Sequence, residues 1–260
     1  MKLNEDTLEE ICYKRDFLKS VIARVDFVNP LEIINKQVPK DLADLILRNF
    51  PLLEPRKAFS QELKISPKGG VDDITKSEFQ EWHFHGKNRE KTLTLTHTSI
   101  IMNYRKFNTY RQMRNEFFDI IELFFKIFSD VLGSRLGLRY INEISLSNGN
   151  PFEWEGYINS KLLGLFNVCE DNNSLSRIFH NLEYNYGDYN LKFQFGMHNP
   201  DYPANIVKKV FILDYDAYYQ GVQVKEEILS NLDKFHTKIQ QLFEYCIDEK
   251  LRKVMYNESV

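Results

Sequence analysis

Apolar and polar residues alternate along a stretch in the middle of the chain, from residue 136 to residue 146. One side of an extended chain here is apolar apart from one amide, and consists of Leu136, Leu138, Tyr140, Asn142 and Ile144. The other side carries Arg139, Ile141, Glu143 and Ser145. Because side chains of a strand point alternately to its two faces, the pattern predicts a strand with one buried and one charged face.

The residues before this strand predict a complete set of strands and helices. Leu8, Ile11 and Cys12 lie at helical spacing among charged residues, which predicts an amphipathic arm over residues 1–16. A strand rich in branched residues is predicted over 17–27 and a short helix over 41–50, ended by Pro51. Alternation then predicts an antiparallel meander with strands over 59–65, 80–85, 91–98 and 99–106. A long helix over 110–132, stopped at Gly133, closes this half.

The residues after position 135 repeat this order. The strand over 136–146 leads, and an apolar patch over 157–166 corresponds to the short helix. Strands follow over 181–186, 189–198 and 208–215, and one long helix is predicted over 224–255. We therefore predict an α+β fold of two similar units, 17–134 and 135–260, which are packed as one compact body. Each unit consists of a strand, a helix, a meander and a long helix, with the antiparallel sheet packed on the long helix.

A direct comparison of residues supports a duplication. A shift of 119 places Ile120, Leu123, Phe124, Asp130 and Leu132 on Ile239, Leu242, Phe243, Glu249 and Leu251. The alternative is that two ordinary meanders look alike because both obey the same patterning rule.

Composition and charge narrow the class of protein. Hydrophobic residues make up 43% of the 260 residues and charged ones 27%, as in a globular chain. The net charge of −3 lacks the long-range attraction for phosphate that a general nucleic-acid binder needs. Three cysteines without CxxC spacing predict neither a disulfide framework nor a zinc ribbon, and no signal peptide or membrane span is visible. We expect a cytoplasmic protein.

Three stretches of the chain resemble a sporadically distributed, largely uncharacterised prokaryotic family of about this length. They are the strand over 17–27, the run Leu138-Arg139-Tyr140-Ile141-Asn142-Glu143-Ile144, and the helix over 232–244 with its Asp233-x-x-His236 pattern. In the first strand, Ala23 precedes Arg24 where the family has an acidic residue. The resemblance implies no established activity or catalytic residue. A patchy distribution often accompanies defence or toxin-control genes, so it implies an accessory role with a partner encoded nearby.

One polar group is the main candidate for a ligand or partner site. Arg139 and Glu143 share a strand face, whereas Asn142 lies on the apolar face, where an unpaired amide is costly. His236 on the closing helix could meet Asn142 and tie the helix to the sheet. Such networks commonly fix register; the functional interpretation is a pocket for an anionic or peptide ligand, with Arg24 and Arg139 at equivalent places in the two units.

The sequence offers weaker candidates for metal and nucleic-acid binding. His83 and His85 share a strand face, with His97 as a third ligand, and Asp214 and Asp216 form a similar carboxylate pair. The alternative interpretation of both pairs is that they are ordinary polar residues on solvent-exposed strand faces. A basic segment with interleaved aromatic residues could contact single-stranded nucleic acid: Arg105, Lys106, Arg111 and Arg114.

No catalytic motif accompanies these candidates. The sequence has no Walker loop and no GxGxxG, GxSxG or HExxH motif, and Cys246 falls within an apolar helix stripe. We therefore predict a non-catalytic interaction or regulatory protein without a cofactor. The alternatives are a small-molecule or nucleotide binder that uses a cleft between the units, and a metal-dependent hydrolase. Whether the chain forms a homo-oligomer is left open.

Overall fold

The computed structural model describes residues 13–65, 71–147 and 149–256, and side chains within these ranges except those of 60–75, 165 and 167. Within these ranges, nine antiparallel strands form one sheet. The strands are β1 (Leu18–Phe27), β2 (Leu52–Ile65), β3 (Val71–His85), β4 (Lys91–Leu95), β5 (Ser99–Tyr104), β6 (Gly133–Ser145), β7 (Ile178–Asn185), β8 (Asn190–Met197) and β9 (Val210–Gln223).

The strand order is β2-β3-β4-β5-β1-β6-β9-β8-β7, so the strands that open the two predicted units pair with each other at the centre. In this pairing Ile22 lies opposite Arg139 and Arg24 opposite Gly137. The α+β class is confirmed. The prediction of a separate sheet for each unit is wrong. In two separate sheets β1 and β6 would each leave an unpaired edge, whereas here their backbone groups bond to one another and join the two halves into one sheet.

All four helices of the described chain pack on one face of the sheet. They are α1 (Lys40–Asn49), α2 (Tyr110–Ile127), α3 (Lys225–Cys246) and α4 (Glu249–Tyr256). The face they cover carries the apolar side of β6, with Leu136 and Leu138 fully buried. Ring contacts fix the two long helices on it: Phe124 of α2 stacks on Phe27 at 4.8 Å, and Phe235 of α3 meets Tyr189 at 5.2 Å.

A buried ion pair anchors α2 to the sheet. Lys91 of β4 and Glu116 of α2 are 8% and 9% exposed, and the Lys91 Nζ lies 2.7 Å from a Glu116 carboxylate oxygen. The Tyr104 hydroxyl donates to the same carboxylate, and the Gln112 side-chain amide donates to its other oxygen. The Lys91 ammonium also lies 4.6 Å from the centre of the Phe50 ring. Among the described contacts of Lys91, Glu116 is therefore the only carboxylate that compensates the buried ammonium charge.

Both long helices end earlier than the sequence predicts. Helix α2 stops at Ile127 rather than at 132, because the chain turns into β6 and the Leu132 carbonyl accepts a bond from Val28 N. The helix predicted over 224–255 is broken at Ile247. There Asp248 N donates to Tyr157 O, and Ile247 pairs with Ile158.

The segment between β6 and β7 is not the predicted counterpart of the short helix. Residues 157–166 form turns that lead into a 3₁₀ helix, Gly164–Val168. Trp154, Ile158 and Leu162 are buried. Their spacing of four imitates a helix stripe, but backbone bonds such as Leu162 N to Asn159 O close tighter turns instead.

Most of the predicted arm, residues 1–12, lies outside the described residues. In the part of the chain that the structure does describe, no helix combines the length and apolar composition needed to cross a membrane.

Candidate functional site

A cavity of about 680 Å³ lies between the two long helices, on the helix-covered face of the sheet. The first turn of α2 forms one wall and the middle of α3 forms another, while Tyr140 and Asn142 of β6 also line the cavity. A third wall comes from the start of the described chain, at Tyr13 and Leu18. We call this cavity the interhelical pocket. Its volume is in the range of sites that hold small molecules.

A polar contact, which we call the helix clip, joins the two helices beside this pocket. Its members are Tyr110 and Arg114 of α2 and Asp233 of α3. The Arg114 guanidinium donates two parallel bonds to the Asp233 carboxylate, of 2.6 and 2.7 Å, and the Tyr110 hydroxyl donates a third of 2.6 Å. Burial, followed by the bond to Asp233, raises the pKa of Tyr110. The clip fixes the separation and register of the two pocket walls.

His236 lies one helical turn beyond Asp233 and is 9% exposed. Its ring is parallel to that of Tyr110, with centroids 3.6 Å apart and an angle of 5° between the planes. The Tyr140 hydroxyl lies 3.0 Å from His236 Nδ1. Burial lowers the pKa of His236 to about 4, against a weaker opposing effect of Asp233, so the imidazole is neutral at pH 7.

The contacts of Tyr140 assign the tautomer of His236. Burial raises the pKa of the Tyr140 phenol, which therefore keeps its proton. Among the described residues Nδ1 of His236 is the one hydrogen-bond partner of this hydroxyl, so the phenol donates and Nδ1 accepts. The ring proton is then on Nε2, for which the described chain offers no acceptor. The pocket wall thus contains, on a side chain that is 9% exposed, an N–H donor with no acceptor in the described chain.

The first turn of α2 adds further donors. Thr109 caps the helix, since its hydroxyl accepts a bond from Gln112 N at 3.2 Å. The N–H groups of Tyr110 and Arg111 have no acceptor within the described ranges. Arg111 is exposed at the rim of the pocket. Unpaired N–H groups and the helix dipole at an N-terminus both favour an anion.

The opposite end of the pocket carries a compensated carboxylate. Glu244 of α3 is buried and accepts a bond of 2.7 Å from the Tyr13 hydroxyl. The Arg252 guanidinium of α4 donates to the same carboxylate. The charge of this acid is therefore compensated, whereas the N–H groups without an acceptor in the described chain lie at the α2 end, where an anionic group would fit.

The residues of the predicted polar group lie on opposite faces of the sheet. Asn142 and His236 both line the interhelical pocket, but the Asn142 amide donates to Leu213 O at 3.3 Å rather than to His236. Arg24, Arg139 and Glu143 point to the uncovered face of the sheet, because a strand alternates its faces. In place of the contact with Asn142 that the sequence allowed, His236 meets Tyr140, which lies two residues before Asn142 on the same face.

The residues on the uncovered face are held by ion pairs. Arg139 donates two bonds of 2.8 and 2.6 Å to Asp214 of the neighbouring strand. Arg24 donates to Asp26 at 2.7 Å, and the Lys19 ammonium lies 3.3 Å from Glu143. Asp216 lies beside Asp214 on this face, and burial raises its pKa.

The two candidate metal pairs lie on the uncovered face as well. His83 and His85 are parallel, with ring centroids 6.3 Å apart, and each bonds a threonine of β4. His97 contacts Phe79, which is four residues, roughly 13 Å, along the strand from His83. Within the described ranges, no three His, Cys, Asp or Glu side chains are grouped so that they could hold a metal ion.

The predicted basic segment lies partly in a loop and partly on helix α2. Arg111 and Arg114 lie on the first turns of α2, where Arg114 belongs to the helix clip, whereas Arg105 and Lys106 are exposed in the preceding loop. Sequence reasoning missed Tyr140 and Asp233 as site residues. The signal for Asp233 was present in the Asp233-x-x-His236 pattern, since residues three apart share one helix face.

The sequence matches no family model and no curated protein. The resemblance to a sporadically distributed family therefore stays a prediction, and the functional argument depends on the geometry of the interhelical pocket.

Proposed function

We propose that this protein is a non-catalytic binding protein for a small anionic molecule that carries a planar ring, held in the interhelical pocket. One observation carries the proposal: N–H donors that have no acceptor in the described chain line the same cavity as the apolar side chains of Ile239 and Phe243. The donors are the N–H groups of Tyr110 and Arg111 and the Nε2–H of His236, which is nine-tenths buried. An unpaired donor of this kind costs free energy unless a ligand or water accepts its bond.

The ligand class follows from the order of the groups along the pocket. A carboxylate or phosphate at the α2 end accepts bonds from the helix N-terminus and faces Arg111. The apolar side chains of Ile239 and Phe243 on α3 supply a surface for a ring. A nucleoside monophosphate or an aromatic carboxylate combines both features.

The pocket lies between corresponding elements of the two units of the proposed internal duplication. Helices α2 and α3 are the closing helices of the two proposed units, and β1 and β6, their opening strands, are neighbours in the sheet. A ligand between α2 and α3 would therefore bind in the cleft between two copies of one ancestral unit.

Extraction of the purified protein, followed by mass spectrometry, tests for a small anionic ligand. Calorimetric titration with a panel of nucleoside monophosphates and aromatic carboxylates then tests affinity. For a ligand that binds, we expect Arg111→Glu to weaken binding at least tenfold, because it reverses the charge at the rim. The control is Lys126→Glu, which makes the same charge change at the exposed far end of α2. Equal affinities in the two variants would contradict the proposal.

A second candidate function uses the uncovered face of the sheet to bind a protein partner, as an accessory of a defence or toxin-control module would. The observation that favours it is that half-buried Ile22 and Ile141 lie beside the Arg139–Asp214 pair on a face that no described helix covers. Affinity purification from the native host should then recover a stoichiometric protein, and Ile141→Glu should abolish its recovery. Retention of that protein by the variant would exclude this face.

A further inference from the structure

The last strand of the sheet, β7, has one unpaired edge. Within the described ranges β8 is the only strand that pairs with β7. We infer that this edge binds a second copy of the chain, so that two β7 strands pair in antiparallel orientation and the two sheets become continuous. The inference is independent of the interhelical pocket, since no residue of β7 lines that cavity.

The backbone groups at this edge follow from the hairpin that joins β7 to β8. Tyr186 N donates to Tyr189 O at 2.9 Å, so these residues form the hydrogen-bonded pair that closes the hairpin. Because hydrogen-bonded and non-hydrogen-bonded pairs alternate along antiparallel strands, the even-numbered residues of β7 bond to β8. The backbone groups of the odd-numbered residues point away from β8. These residues are Phe179, Asn181, Glu183 and Asn185.

The two edges of the sheet differ in how they oppose pairing with another chain. Strand β2, at the other edge, contains Pro55 followed by Arg56 and Lys57. Proline and charged side chains, above all lysine, hinder the pairing of two exposed edges. Strand β7 contains no proline, lysine or arginine, and its Phe179 and Leu182 are 37% and 43% exposed. The β7 edge therefore lacks the features that keep an edge strand single.

The side chains of β7 complement one another when the strand pairs with its own copy. A two-fold axis at Leu182 pairs β7 along its whole length, and it places Asn181 opposite Glu183 of the second copy. An amide then faces a carboxylate, and within one copy the Asn181 amide already donates to the Glu183 carboxylate at 3.5 Å. An axis at Glu183 would instead oppose two carboxylates, which destabilises a strand pair.

The same axis brings apolar and unpaired groups together on the helix-covered face. Leu182 lies on this face, because it is opposite Phe193 of β8, which is itself opposite the buried Tyr215 of β9. The two Leu182 residues would form a non-hydrogen-bonded pair, with Cα atoms about 4.5 Å apart and side chains in contact. His180, whose Nε2 is buried without a partner in the described chain, would lie opposite Tyr184 of the second copy. The dimer thus supplies both an apolar contact and a phenol at positions that lack them in one copy.

Cysteine substitution tests the register of the pair. Because the Cα separation at a non-hydrogen-bonded pair suits a disulfide, oxidation of Leu182→Cys with copper phenanthroline should convert most of the protein to a covalent dimer. The matched control is Phe179→Cys, a similarly exposed position of the same strand. In the proposed register it lies about 20 Å from its counterpart, so it should give no covalent dimer. The unmodified protein, treated in the same way, corrects for the native cysteines.

Sedimentation velocity of the full chain tests whether the edge itself holds the dimer. We expect the unmodified protein to dimerise and Asn181→Pro to be monomeric, because proline removes an N–H that points away from β8. Asn181→Thr keeps this N–H and should stay dimeric, and circular dichroism confirms that both variants fold. A monomeric unmodified protein, or a dimer that survives Asn181→Pro, would overturn the inference. Equal disulfide formation by the two cysteine variants would also overturn it.

Discussion

Replacing Glu116 with leucine is expected to lower the free energy of unfolding by about 3–5 kcal/mol, the usual cost of breaking a buried ion pair on one side. The substitution leaves Lys91, which is 8% exposed, without its carboxylate partner, and it removes the acceptor of the Tyr104 hydroxyl. The nearby Phe50 ring offsets only a small part of this cost. Urea unfolding followed by circular dichroism measures the change.

The control and the rescue separate the ion pair from helix propensity. Glu122→Leu changes an exposed glutamate of the same helix and should stay within about 0.5 kcal/mol of the unmodified protein. Adding Lys91→Met to Glu116→Leu removes the uncompensated charge and should restore most of the lost stability, because an apolar pair of similar volume can replace a buried ion pair. A loss below 1 kcal/mol for Glu116→Leu alone would show that Lys91 reaches water in the folded protein.

The alternation of residues was enough to predict which face of β6 is buried, but not the pairing of strands. Whether a side chain points inward depends on its position along one strand, so Leu136 and Leu138 could be assigned to the core from the sequence. The pairing of Ile22 with Arg139 joins positions more than a hundred residues apart. No local pattern encodes such a register, and two separate sheets were predicted for that reason.

For the pocket as well, the sequence predicted which residues share a helix face but not which residues of another helix they contact. The sequence marked Asp233 and His236 as polar residues on one face of a helix. It could not show that Tyr110 and Arg114 face them, because that contact depends on how α2 and α3 pack across the sheet. Arg139 and His236 were grouped because both are polar near apolar runs, although Arg139 lies on the uncovered face of β6 and His236 of α3 contacts Tyr140 on the helix-covered face.

Stability should fall as the pH falls from 7 to 5, and His236 should account for about 2 kcal/mol of the loss. Burial lowers its pKa from 6.5 to about 4 in the folded protein. Between these values the unfolded chain binds a proton that the folded chain excludes, so unfolding takes up protons and is favoured by acid. The contribution is complete above pH 6.5 and is lost progressively as the pH falls towards 4. The groups that face the imidazole are the Tyr110 and Tyr140 phenols, both protonated in this range, and the Arg114–Asp233 pair.

Comparison with His236→Gln isolates this contribution. Glutamine keeps a polar side chain in the wall but does not titrate, so its stability should depend less on pH by about 2 kcal/mol between pH 7 and pH 5. Burial also lowers the pKa of His85 and His180, and their contributions cancel in the difference between the two proteins. Urea unfolding at half-unit pH steps supplies the data. Parallel pH profiles for the two proteins would mean that His236 is protonated as readily in the folded state as in the unfolded chain. The lowered pKa assigned to the buried imidazole would then be wrong.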